Sequence, residues 1–147
     1  METKAITTFA EFVQWLDFLV EGVVAIGVKN NENDRTADEV IEAMRRKLGS
    51  PDFNLLIQLN PEGVPLGFVA GVIANSFYDE KIGVLWLAYV KPGGKYGELV
   101  EQSRQWGRDK GVTKVEIVNV NLTPAKARWL RRFGLTQVQL QIWKGAV

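Results

Sequence analysis

"VLWLAYVKPGGKYGELVEQSRQWGRDKGVTKVEIVNV", residues 84–120, decides how this chain folds. It opens as an apolar strand and turns through Lys91, Pro92, Gly93 and Gly94. It then becomes helical, with Leu99, Val100, Ser103, Trp106 and Lys110 on one side. Gly111 ends that helix, and "VTKVEIVNV" reads as another strand. Two strands joined through a helix form a right-handed parallel crossover, here between the strands near 82–90 and 113–120. Upstream, "FNLLIQLN", "PLGFVAGVIANSF" and "IGVLWLAYV" are strands separated by the turns "PEGV" and "YDEK", an antiparallel meander. Runs this apolar, with little alternation, imply strands covered on both faces.

Working outward, "TTFAEFVQWLDFLVEG" is the first helix. Thr8 caps it and Glu11, three residues on, completes a capping box. Phe9, Phe12, Val13, Leu16, Leu19 and Val20 fall on one face. The next residues, "VVAIGVKN", are open to three readings: strand, continued helix or loop. A second capping box, Thr36 with Glu39, starts a helix whose inner stripe is Ala37, Val40, Ile41, Met44 and Leu48. Gly49 and Pro51 stop it. Near the C-terminus, Thr123 and Pro124 start a helix that Gly134 closes, and "LTQVQLQIWKGAV" is a final, alternating strand. The expected fold is α/β: one domain over residues 1–147, with a single mixed, mostly antiparallel sheet and flanking helices.

Composition removes whole classes of chemistry. The chain has no cysteine and no histidine. Disulfides, thiol nucleophiles, Cys/His zinc sites and histidine-based triads are therefore excluded. No D-x-D-x-D-G loop or comparable carboxylate cluster appears, so no metal is expected. Apolar residues make up 46% and charged residues 24%, ordinary values for a globular protein. The start, "METKAITTF", lacks the features of a signal peptide, and no apolar run is long enough to cross a bilayer. A cytoplasmic protein without a membrane partner is expected. Residues 1–90 carry 7 basic and 13 acidic side chains, a net of −6, and residues 91–147 carry 11 and 4, a net of +7. Such a split either attracts partners of opposite sign or scatters over a solvated surface.

"KPGGKYGEL" is the stretch with the most chemical potential. Free N–H groups at a helix start favour an anion, glycines let a ligand approach the backbone, and Lys91 and Lys95 add charge. The alternative is a glycine-rich turn with two solvated lysines. The stretch matches neither the G-x-x-x-x-G-K-[ST] nucleotide loop nor G-x-G-x-x-G. The basic face of the last helix (Lys126, Arg128, Arg131, Arg132) reads as solvated. With no interleaved aromatics and no recognition motif, nucleic acid ranks last among partners. Trp15, Trp86 and Trp106 read as core, whereas Trp143, on the terminal strand, could mark a homodimer surface.

In collinear order, these segments resemble the GNAT superfamily of acyl-CoA-dependent N-acyltransferases. "PEGVPLGFVAGVI" is similar to the family's hairpin, and "VLWLAYVKP" resembles the strand that precedes its acyl-CoA loop. "LVEQSRQWGRDKGVTKVEIVNV" and "AKARWLRRFGL" resemble its later helix–strand pair and closing helix. The resemblance implies direct attack of an amine, from a small molecule or a protein, on the thioester of acetyl-CoA as co-substrate. It places a polarising N–H at the strand end around Leu87, Tyr89 and Val90. Cofactor contacts would fall at Lys91, Gly94, Lys95, Tyr96 and Gly97, and at Asn119 and Asn121, whose other reading is loop and cap chemistry. Proton transfer would fall to Glu116, whose other reading is a solvated carboxylate at the sheet edge, or to Tyr89, with Tyr96 a further option.

Two features depart from the family pattern. The loop lacks the usual R/Q-x-x-G-x-G/A spacing. The tyrosine that commonly protonates the leaving thiolate is replaced by Leu130 or Trp129, depending on register. Two readings result: an N-acetyltransferase, or a non-catalytic GNAT-like protein-interaction module. Compact members of the second kind are also encoded by phages, which leaves a virion-associated role open. The enzyme reading expects the strands at 82–90 and 113–120 to splay at their C-terminal ends.

Overall fold

The computed structural model describes residues 1–30, 35–117, 124–132, 134 and 135. Its elements are β1 (Glu2–Ala5), α1 (Phe9–Gln14), α2 (Leu16–Asn30), α3 (Ala37–Lys47), β2 (Phe53–Leu59), β3 (Pro65–Asn75), β4 (Lys81–Val90), α4 (Tyr96–Asp109), β5 (Lys114–Ile117) and α5 (Pro124–Arg132). The five strands form one sheet in the order β1-β2-β3-β4-β5. Pairings are antiparallel from β1 to β4, and β4 with β5 is parallel. The expected mixed α/β sheet with its α4 crossover is therefore present.

Both capping boxes form. The Glu11 N–H donates to Thr8 Oγ1 (3.2 Å) while the Glu11 carboxylate accepts the Thr8 N–H (3.1 Å). Thr36 and Glu39 repeat the exchange at 3.2 and 3.4 Å. Each box satisfies two N–H groups that a helix start otherwise leaves without partners.

The first helix needs a correction. It breaks at Trp15 (φ −107°, ψ 11°), and α2 starts afresh with the Leu19 N–H donating to the Trp15 carbonyl (3.0 Å). The break changes the phase of the apolar stripe. Phe12, Phe18, Leu19 and Val23 are buried, whereas Phe9 and Val13, assigned to the inner face, are 61% and 50% exposed. "VVAIGVKN" continues α2 as helix. The short strand β1 went unrecognised in the sequence, having only four residues and no alternation to announce it.

Helices α2 and α3 cover one face of the sheet. Phe18 of α2, Phe68 of β3 and Tyr89 of β4 form a ring cluster there, with centroids 5.7 to 6.1 Å apart. Gly22 lets α2 lie flush on this cluster, since a Cβ at that position would sit 2.2 Å from a Phe68 ring carbon. Met44 of α3 is fully buried, and Ala37, Val40, Ile41 and Leu48 pack around the same core, as the stripe of that helix predicts. Each such buried apolar side chain contributes about 1.5–3 kcal/mol. The other face carries α4, with Leu99 packed on Leu56 and Val69. Strand β2, second in the sheet, is buried along its whole length between the two layers.

Candidate functional site

The strand–loop–helix unit from β4 to α4 is tied down at several points. The Lys91 N–H donates to the Leu66 carbonyl (2.8 Å) and the Gly94 N–H to the Lys91 carbonyl (3.0 Å), closing a turn. Gly93 at its centre has φ +94°, a left-handed conformation that favours glycine. At Gly94 the constraint is space: a Cβ would lie 2.4 Å from Val90 Cγ1 and 3.0 Å from the Leu66 carbonyl oxygen. The glycines therefore serve a compact, anchored turn rather than a flexible one.

Lys95 is the N-cap of α4 and supplies no side-chain cap. Its backbone is held by Gln58 of β2, which is fully buried. The Lys95 N–H donates to Gln58 Oε1 (2.7 Å), and Gln58 Nε2 donates back to the Lys95 carbonyl (3.3 Å). That carbonyl also accepts the Leu99 N–H (3.3 Å) as the first helical bond. Among the described residues, no acceptor is found for the N–H groups of Gly97 and Glu98. They point out of the positive end of the helix, the arrangement that suits an anion.

The two lysines contribute less charge to this helix end than their positions in the sequence imply. Lys91 Nζ is 3.6 Å from Glu21 of α2 and lies over the Phe18 ring at 5.8 Å, so its charge is engaged on the opposite face of the sheet. Lys95 Nζ pairs with Glu98 at 3.5 Å, both groups more than half exposed. Such exposed pairs exchange partners at little cost, so Lys95 remains available to an incoming anion. Tyr96 is half-buried at the first helical position, and burial raises its phenol pKa above the ordinary value. The phenol therefore stays protonated at neutral pH.

Strand β4 carries a feature that the sequence does not announce. Ala70 pairs with Leu87, but Gly71 pairs with Leu85, so Trp86 is an extra residue in a β-bulge. The bulge puts Trp86 and Leu87 successively on the α2 side, Trp86 against Phe53 (6.4 Å), and Val90 and Ala88 on the α4 side. A bulge interrupts the ladder and re-aims the strand, and such distortions concentrate beside active sites. Tyr89 follows it, its ring in the Phe18–Phe68 cluster.

Glu116 stands apart. It is exposed on β5 opposite Val84, while its neighbours Val115 and Ile117 line a cavity on the α4 side. Alternation thus turns Glu116 to the other face. Its register position is five residues from Tyr89 along β4, roughly 16 Å at about 3.3 Å per residue. The two proposed proton carriers are not brought together. Asn119 and Asn121, the splay beyond Ile117, the terminal strand with Trp143 and the side chains of Lys126 and Trp129 lie outside the described residues. Arg128, Arg131 and Arg132 are exposed on α5.

The cavity has a volume of about 280 Å³ and lies between α4 and the β3–β5 strands, with Leu85, Ser103, Trp106, Val115 and Ile117 in its wall. None of the described candidates at the loop lines it. It begins on the Leu85 side of the bulge and continues away from the α4 N-terminus.

Sequence reasoning missed Gln58. The available signal was a pair of amides, Asn54 and Gln58, in a strand otherwise wholly apolar and covered on both faces. Buried amides require partners. Gln58 finds its partner 37 positions away, a pairing that no local pattern reveals. Asn54 Oδ1 is buried with no partner among the described residues.

No family model and no curated protein matches the sequence. Solved structures do match in three dimensions. An aminoglycoside 6′-N-acetyltransferase from Acinetobacter haemolyticus is similar at TM-score 0.73 and 14% identity, covering 100% of this chain and 99% of that one. A glucosamine-6-phosphate N-acetyltransferase from Arabidopsis thaliana is similar at 0.68 and 15%, covering 99% of each chain. A predicted acetyltransferase from Clostridium acetobutylicum, solved with acetyl-CoA, is similar at 0.75 and 9%, covering 98% of this chain and 95% of that one. At such identities the likeness is one of backbone architecture, not of side chains. With its β-meander, parallel β4–α4–β5 crossover and flanking helices in the same arrangement, the chain has the GNAT fold.

Proposed function

We propose that the chain is an N-acetyltransferase that uses acetyl-CoA and transfers the acetyl group to an amine by direct attack. The observation that carries this reading is the α4 N-terminus, whose N-cap Lys95 supplies no side-chain cap and whose start is held by Gln58 at the end of a bulged β4. A pyrophosphate would meet the Gly97 and Glu98 N–H groups, with Lys95 adding charge. The pantetheine arm would run along β4 toward the bulge. There a backbone N–H near Leu87 would polarise the thioester carbonyl.

The amine nitrogen forms a bond to the carbonyl carbon as the carbon–sulfur bond breaks. The amine loses a proton and the thiolate gains one. Orientation of the two reactants supplies much of the rate in such a reaction, so the lack of histidine and cysteine is no obstacle. Tyr89, adjacent to the bulge, is the proposed donor to the thiolate. Glu116 is too distant to share that proton and would act only through water on the acceptor side. Structural relatives that acetylate aminoglycosides support a small-molecule amine as acceptor.

Calorimetric or thermal-shift titration with acetyl-CoA and with CoA tests the proposal. Stabilisation should grow with ligand and reach about 2.7 kcal/mol at a hundredfold excess over Kd. Absence of any shift at millimolar ligand would overturn it. That outcome would favour the second reading, an interaction module. One observation supports the second reading independently: Phe77 and Tyr78 are 95% and 83% exposed at the β3–β4 hairpin tip.

A further inference from the structure

We infer that Gln58 is the positioning residue that sets which backbone N–H groups of α4 grip the ligand's phosphates; this rests on the acetyl-CoA reading above. Gln58 reaches from the buried strand β2 to the N-cap residue of α4, accepting from the Lys95 N–H at 2.7 Å and donating to the Lys95 carbonyl at 3.3 Å. A side-chain amide paired with both the N–H and the carbonyl of one residue ties down the two peptide groups that flank it, as a bridge within a sheet does. It is fully buried. No water competes for it, and leaving either of its groups unpaired is unfavourable.

Two consequences follow from this geometry. First, the Lys95 N–H is already engaged and cannot serve an anion, so the grip moves inward to Gly97 and Glu98. Second, the plane of the Lys95–Tyr96 peptide, held by the bond from Gln58 Nε2, sets the direction of the first helical turn, because its carbonyl also accepts from Leu99 (3.3 Å). Gln58 touches no substrate. It acts through the helix start, and its effect should be confined to the phosphate part of the ligand.

The test compares two probes on the intact chain: acetyl-CoA, and S-acetylpantetheine, which lacks the pyrophosphate. Gln58→Met keeps the side chain's length and removes both hydrogen bonds. It should weaken acetyl-CoA binding roughly tenfold, the scale of one charge-assisted hydrogen bond mispositioned. Binding of S-acetylpantetheine should be unchanged. Equal affinity of wild type and variant for acetyl-CoA, or equal loss for both probes, would overturn the assignment to Gln58 and leave the acetyl-CoA reading standing. A wild-type chain that binds neither acetyl-CoA nor CoA would instead overturn that reading itself.

Amide hydrogen exchange on the unmutated chain provides a check that does not depend on the variant's folding. The Lys95 amide should be protected without ligand and gain nothing when acetyl-CoA binds, whereas the Gly97 and Glu98 amides should gain protection. A Lys95 amide that becomes protected only on binding would overturn the inference.

Discussion

The helix starts at Thr36 and at Lys95 reach opposite solutions. At α3, the Thr36 hydroxyl and the Glu39 carboxylate close a box around the first N–H groups. At α4, an acidic residue again stands three positions on, Glu98, but the N-cap is a lysine with no side-chain cap, and Glu98 turns to the Lys95 ammonium instead. The first helix end satisfies its Thr36 and Glu39 N–H groups by itself. The second is completed only in part, by Gln58 from a distant strand, and the remainder faces outward. A helix end whose donors are satisfied internally is structural, and one held rigid with donors left over is where a ligand gains most.

The largest way to break this contrast is Gly94→Ala. Its Cβ would lie 2.4 Å from Val90 Cγ1, so the anchored turn must shift. A cost of roughly 1–3 kcal/mol is expected, with loss of the acetyl-CoA response, read by urea unfolding with and without ligand. Next is Thr36→Ala, which should cost about 1 kcal/mol by removing a cap while leaving ligand binding untouched. A change in ligand affinity there would mean that the two helix ends are coupled.

Lys95→Ser converts the second end toward the first, offering a hydroxyl to the Glu98 N–H. The ligand-free chain should gain about 0.5–1 kcal/mol, and acetyl-CoA should bind more weakly than it does to Lys95→Ala, which removes the charge alone. Tighter binding than Lys95→Ala would contradict the role given to the Glu98 N–H.

The smallest effect is in acid. Hydrogen bonds from the Thr36 backbone and then from Arg35 hold Glu39 below its ordinary value, and those from Thr8 and Thr7 do the same for Glu11. Arg45 holds Glu42 at about 2. A carboxylate with a lowered folded-state pKa stabilises the fold above its unfolded value of 4.5. That contribution is lost as pH falls through the folded-state value. Melting curves between pH 5 and pH 2 should show the advantage of wild type over Glu39→Gln shrinking as acid is added.

These same helix ends show what can be read from the chain alone. Thr-x-x-Glu is a local signal, since both partners lie within one turn, and both boxes form as read. The meander and the crossover were equally legible, because their strands are long and apolar and the separating turns are rich in glycine, proline and charge. Local patterns fail where the deciding contact is remote. The break at Trp15 is hidden inside a continuous apolar run, so Phe9 and Val13 were placed on the wrong face. The bulge at Trp86 exists only as a mismatch between two strands. Lys91, next to the glycines in sequence, belongs to Glu21 in space.

By itself, the sequence determined the order of elements from α3 to α5, the parallel crossover and the classes of chemistry excluded by the lack of cysteine and histidine. Those depend on periodicity, caps and composition, which are properties of neighbouring residues. Only the tertiary structure decided that the glycine-rich stretch is an anchored helix start. The reason is physical: the residue that fixes it, Gln58, sits on the far side of two strands and a turn. Its amide acquires a role only when packing strips it of water and leaves the Lys95 peptide as its partner.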